Sequence, residues 1–338
     1  ADLLAAGLRA GPGALPFAER DRVWAILRAL TEDPDPTPEH ESQYGGENMD
    51  PATMAINTVR GRASHAAMQY ASWVCRAPND TLPENPRMPE FWGLLDAHLD
   101  VTREPSLTIR SVYGWWLPVL AHLDWDWLNR NLKRIFPDEE TEAPRFRAAW
   151  ESFVCFNEPE TKLLQALIPA YKRAISDLGP PDRKTRHREW AENRLAEHLM
   201  VYYWRGNLEF GSADGLLDAF YTSAPDELRG HAMWFVGRSA PHWGDEAPPH
   251  VYERLKRLVE RRIEVARQTP NPADFVNELA NFGWWFASEK FDEHWSVVTL
   301  LAILQLTRKV EGELDVVKVL AARCARYPAE SVACLRLM

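Results

Sequence analysis

The sequence lacks H-E-x-x-H, a P-loop, a G-x-G-x-x-G after a strand, and G-x-S-x-G, so the sharply defined enzyme classes find no support in it. Cysteine is scarce. Cys75, Cys155, Cys324 and Cys334 are far apart or ten residues apart and form no C-x-x-C pair, so they read as small buried apolar residues in a reducing compartment. No charged segment followed by an apolar run opens the chain, so no signal peptide is expected. The longest strongly apolar stretch, Val297 to Leu306, is too short to span a bilayer. Basic charge is also in deficit: 39 Lys and Arg against 49 Asp and Glu leave a net charge of −10, which argues against a nucleic-acid partner. The expectation is a cytoplasmic protein without membrane association, cofactor or metal.

What is abundant is apolar and aromatic. Hydrophobic residues make up 46% of the 338, ample for a large core, and there are 15 Trp. Trp24, Trp73, Trp116, Trp190, Trp234 and Trp295 lie at helix-face spacing and read as interlocking core residues rather than a ligand cage. Nearly every segment has the 3.6-residue period of an amphipathic helix, and no alternating strand is evident. Asp50-Pro51 predicts the start of one long helix ending near Arg76, with Ile56, Val59, Ala63, Ala67, Tyr70 and Val74 on its apolar face. Thr58, Arg62, His65 and Gln69 share the opposite face. Pro118 predicts a kink near Trp115, and the segment Asp292 to Val310, apolar almost all round, a central helix. The acidic, Pro- and Gly-containing stretch Thr31 to Asp50 reads as a mobile insertion.

A short phrase recurs three times. Val59-Arg60-Gly61, Ile109-Arg110-Ser111 and Leu228-Arg229-Gly230 each lie early in a helical pattern, with a small residue downstream (Ala63, Gly114, Ala232). Asp33-Pro34-Asp35-Pro36 precedes the first copy, and Ser223-Ala224-Pro225-Asp226 precedes the third with the pattern of a capping box. A helix, an Asp/Pro turn and an aliphatic-Arg pair opening a second helix resemble the HEAT repeat, which implies an all-α solenoid of stacked antiparallel helix pairs. Residues 1–338 then form a single helical-repeat domain, with a sub-array break at 179–184 where Gly179-Pro180-Pro181-Asp182 falls. The resemblance gives Arg60, Arg110 and Arg229 a structural role, pairing with turn carboxylates. Arg60 fits least well, ten residues beyond the cap expected at Asp50. The start at Ala1 and the apolar Val332, Leu335 and Met338 at the other end set the expectation of a piece excised from a longer protein with attached flanking domains.

Candidate chemistry has an ordinary structural explanation at each place. His122, Asp124 and Asp126 offer one His and two carboxylates, but Asp124 is well placed as a helix cap and His122 near a helix C-terminus. His242, Asp245, Glu246 and His250 fall in a loop with no sign of convergence. Glu158 with Glu160, and Asp124 with Asp126, are first-turn acids rather than the paired carboxylates of a glycosidase. The leading expectation is a non-catalytic recognition or scaffold module that binds a protein or peptide through Arg62, His65, Gln69, Arg229 and His231. Asn57-Thr58-Val59-Arg60-Gly61, Leu195-Ala196-Glu197-His198-Leu199 with Tyr203-Trp204-Arg205-Gly206, and Phe282-Gly283-Trp284-Trp285-Phe286 resemble helical regions of large bacterial multidomain antiphage-defence proteins. That resemblance implies a sensor or regulatory region. The alternatives are a HEAT-like DNA-binding protein or DNA glycosylase, and an (α/α)-toroid glycoside hydrolase.

Overall fold

Proline opens helix after helix in this chain, at positions where its missing N–H has no intrahelical acceptor to lose. The computed structural model describes residues 1–45, 49–76, 88–179, 186–243 and 248–338, the side chains of Arg186 and Pro249 excepted. Among the described residues the regular elements are helices, and none is a strand. None of these helices is long and apolar enough to cross a membrane. The chain divides into two compact units, Ala1–Ala170 with Thr185–Ala191, and Tyr171–Lys184 with Glu192–Met338.

The first unit holds α1 (Asp2–Gly7), α2 (Arg20–Thr31), α3 (Pro38–Tyr44), α4 (Pro51–Ala55), α5 (Val59–Cys75), α6 (Pro89–Leu99), α7 (Leu107–Trp115), α8 (Leu117–Leu123), α9 (Trp125–Ile135) and α10 (Ala143–Phe156). It also holds the first turns of α11 (Thr161–Ser176) and of α12 (Arg186–Trp204). Side-chain oxygens of Thr37, Asp50, Ser106 and Asp124 accept the first free N–H groups of α3, α4, α7 and α9. Tyr70, Phe91, Tyr113, Phe146 and Phe153 fill the core, and α7 packs along α10 so closely that a Cβ on Gly114 would strike the Ala149 carbonyl oxygen.

The second unit holds α13 (Leu216–Ser223), α14 (Asp226–Ser239), α15 (Pro249–Gln268), α16 (Val276–Ala280), α17 (Phe282–Ala287), α18 (Glu293–Thr307), α19 (Glu313–Arg323) and α20 (Pro328–Leu337). Here α14 packs on α16 and α17, α18 on α20, and α17 on α19, around Tyr202, Phe220, Phe282 and Trp285.

Several expectations change. The long helix from Pro51 is two helices, because Asn57 Nδ2 donates to the Thr53 carbonyl (2.7 Å) and Thr58 Oγ1 to the Met54 carbonyl (3.0 Å), ending the first ladder. The second helix starts afresh at the Thr58 cap, its Val59 N–H donating to Asp35 Oδ2 (2.8 Å), so Arg60 follows its own cap by two residues rather than ten. Ile56 and Val59, assigned to the apolar face, are exposed. Ser223 closes α13 and makes no capping box. The Asp226 carboxylate instead accepts from the N–H groups of Asn277 and Glu278 at the start of α16 (2.7 and 2.9 Å). Of the six core tryptophans named above only Trp73 is buried, while Trp190 and Trp234 are exposed. Cys155 and Cys334 are buried and Cys75 exposed. The helix expected to be central, α18, buries one face through Val297, Leu300, Ile303 and Leu304 but exposes Val298. The Pro118 kink is present as the break at Trp116 between α7 and α8.

Candidate functional site

Residues 31–41 of the segment expected to be a mobile insertion form one wall of a well-defined cleft. Residues 31–45 carry α3, and their polar atoms are tied to α5 and α7. Glu41 Oε1 accepts from Ser106 Oγ (2.6 Å) and from the Thr108 N–H (2.9 Å), so an acid on α3 caps α7 from outside. Glu32 pairs with Arg103 at 2.6 Å across the rim.

Between this wall and the turn joining α6 to α7 lies a cleft of about 560 Å³. Pro34, Pro36, Pro38 and Pro105 give it stiff apolar edges. Its floor is polar. Glu104, buried, accepts from Arg60 Nη2 (3.3 Å), from the Ser106 N–H (3.3 Å) and from His98 Nδ1 (3.0 Å). Arg60 also donates to the carbonyls of Asp33 (2.7 Å) and Pro36 (2.9 Å), stitching the insertion to α5. In the tautomer that donates Nδ1–H to the Glu104 carboxylate, Nε2 is an acceptor. His98 Nε2 is buried and has no partner among the described residues, on a side chain only 7% exposed. At the mouth, Glu39 is held below the usual carboxylate range by hydrogen bonds from its own N–H and the Thr37 hydroxyl.

The partner-binding residues expected from sequence do not assemble. Arg62, on the first unit, is exposed and pairs with Asp2 and the Ile56 carbonyl. His65 is tucked among Trp115 and Trp116, accepting a hydrogen bond from Trp116 Nε1 (2.8 Å), and burial pulls its pKa down to about 4. Gln69 is half-buried, its Oε1 without a partner. In the second unit His231 bonds Glu197 (2.9 Å), while Arg229 is buried. Only Arg62 of the five presents an exposed side chain.

Arg229 reaches Glu278 (2.6 Å), Asp226 (3.6 Å) and the carbonyls of Ala224 and Asp274. Arg262 shares the same carboxylate. Arg110 is buried with carbonyl partners, Arg134 (2.9 Å) and Leu99 (3.4 Å), rather than a turn carboxylate. Burial lowers its pKa from the ordinary value.

A second cavity, about 460 Å³, lies beside Pro118, His122, Trp125, Glu160 and Lys162. The His122-x-Asp124-x-Asp126 candidate dissolves there, because the Asp124 carboxylate caps α9 through the Trp127 N–H (2.8 Å). Among the described residues no three His, Cys, Asp or Glu side chains gather as a metal site. Asp245 and Glu246 of the other loop candidate, and Pro180 to Asp182 of the expected break, lie outside the described residues.

Sequence reasoning missed His98, Glu104 and Glu41. His98 ends an amphipathic helix, where it reads as favoured by the helix dipole, and Glu41 meets Ser106 across 65 residues, a distance no local pattern spans. Comparison with protein-family models, with curated proteins and with solved structures finds no match for this chain.

Proposed function

We propose that the chain is a non-catalytic recognition module of HEAT-like stacked helix pairs, and that the cleft between residues 31–41 and 98–106 receives a peptide segment of a partner protein. The observation that carries this reading is the buried His98, whose Nε2 is without a partner among the described residues, in a cleft of about 560 Å³. Binding sites typically measure roughly 300–1,000 Å³ and combine apolar walls with a few fixed polar groups. Four prolines and the Arg60–Glu104–His98 cluster fit that description. A floor held by hydrogen bonds at both ends needs little ordering when a ligand arrives, which favours affinity. The resemblance to helical regions of antiphage-defence proteins extends the reading to a sensor or regulatory part.

The test is selection of peptides from a displayed random library, followed by affinity measurement on Arg103→Glu. Arg103 is exposed on the rim. Selected peptides are expected to change about tenfold in affinity on this variant, with the melting temperature unchanged. Peptides whose binding ignores the substitution would sink the cleft assignment. Robust glycosidase or base-excision activity, abolished by a carboxylate substitution, would overturn the non-catalytic reading.

A further inference from the structure

The geometry points to a cationic ligand for this cleft: a guanidinium or ammonium group, presented by an Arg or Lys side chain of the bound peptide. The inference rests on the cleft being a peptide site and names what that site selects.

Charge is the first argument. Of the four carboxylates lining the cleft, Glu104 is matched by Arg60 (3.2 Å) and Glu32 by Arg103 (2.6 Å). Glu39 and Glu41 have no cationic partner among the described residues; Glu41 is held only by the Ser106 hydroxyl and the Thr108 N–H. Two Arg against four Glu leave the lining with a surplus of carboxylates. An anionic ligand would meet that surplus directly, whereas a cation would relieve it.

Hydrogen bonding gives the second, independent argument. The capacity left over in the cleft is mostly for accepting. Among the described residues His98 Nε2 has no donor facing it, and both donors to Glu41 converge on Oε1, leaving Oε2 available. The Arg60 guanidinium, by contrast, is committed to the Asp33 and Pro36 carbonyls and to Glu104, with only Nε lacking a hydrogen bond. Groups that fill such a site must bring N–H donors and no acceptor. Guanidinium and ammonium are the side-chain groups that do so. Guanidinium adds a planar fork that suits the Glu41 carboxylate.

The experiment titrates three capped pentapeptides into the full chain by calorimetry: acetyl-Gly-Gly-Arg-Gly-Gly-amide, the same peptide with citrulline for Arg, and the same with Glu. Citrulline keeps the shape and removes the charge. The Arg peptide is expected to bind, the citrulline form about tenfold more weakly, and the Glu form more weakly still. Glu41→Gln, which keeps the oxygen that accepts from Ser106 and Thr108, and the exposed Glu39→Gln should each weaken the Arg peptide without lowering the melting temperature. Equal binding of the Arg and citrulline peptides, or indifference to both substitutions, overturns the cationic assignment. Library selection of peptides lacking Arg and Lys, with binding lost in Arg103→Glu, also overturns it while leaving the recognition reading intact. If no peptide of any kind binds up to about 10 mM, a free energy near −3 kcal/mol, both readings fall.

Discussion

His65 is a half-buried imidazole held neutral by its surroundings. Trp116 Nε1–H donates to its Nδ1 at 2.8 Å, so the ring proton sits on Nε2, and protonating Nδ1 would both charge a buried ring and displace the Trp116 bond. Burial lowers its pKa from 6.5 to about 4. Between those values the unfolded chain binds more protons than the folded one, so this group makes stability fall as pH drops from about 6.5 towards about 4. The effect saturates at roughly 3 kcal/mol. His187 works in the opposite sense. Burial alone would depress it, but the Glu151 hydrogen bond (3.3 Å) and the charge of Asp50 (3.5 Å) outweigh that and raise it. Its contribution is present below the unfolded pKa and lost as pH rises through the raised folded value. The His65 effect is therefore read as a difference between two proteins. Denaturant melts at pH 7 and 4.5 should show the unmodified chain losing a couple of kcal/mol more than His65→Gln, roughly in line with its share of the shift. Equal pH slopes for the two would show that the ring is not held neutral.

At the scale of elements, α7 and α10 are fixed by Gly114, where any side chain would meet the Ala149 carbonyl. Backbone cannot swing aside as a flexible side chain can, so Gly114→Ala should cost about 2–3 kcal/mol, measured by denaturant unfolding. Gly93, exposed within α6, has open space around it. Gly93→Ala should stabilise by about 0.5–1 kcal/mol, since only the propensity difference remains. A similar small effect at both glycines would mean that α7 and α10 are further apart than the structure has them. Elements of this kind were legible in the sequence wherever 3.6-residue periodicity coincided with a cap or a proline, as at Ser106, Asp124 and Pro89. The break at Ile56–Thr58 was not legible, because Asn57 and Thr58 interrupt the ladder with side-chain bonds inside an unbroken apolar period. Nor was the cleft. Its polar floor joins Arg60 to Glu104 and Glu41 to Ser106, pairings created by tertiary packing and spaced 44 and 65 residues apart.

At the scale of the whole molecule, two compact units with separate cores imply that stability need not be lost everywhere at once. Glu278 offers a way to separate them. It has no exposed surface and serves both Arg229 (2.6 Å) and Arg262 (2.5 Å), so it anchors α14, α15 and α16 of the second unit through one carboxylate. Removing it takes the carboxylate from the buried Arg262 and leaves Arg229 with Asp226 at 3.6 Å and two backbone carbonyls; breaking a buried ion pair in this way typically costs about 3–5 kcal/mol. Glu278→Ala should therefore accelerate amide hydrogen exchange sharply in α14 to α17. Exchange in α5, α7 and α10, whose buried residues belong to the first unit's core, should keep its native rate. Hydrogen-exchange mass spectrometry under native conditions reads both sets of helices in one experiment. Acceleration confined to the second unit makes it a separate cooperative unit, with an opening free energy of its own. Equal acceleration in α7 and α10 would instead show that the chain opens as one body, and that the two clusters of packing share a single folding transition.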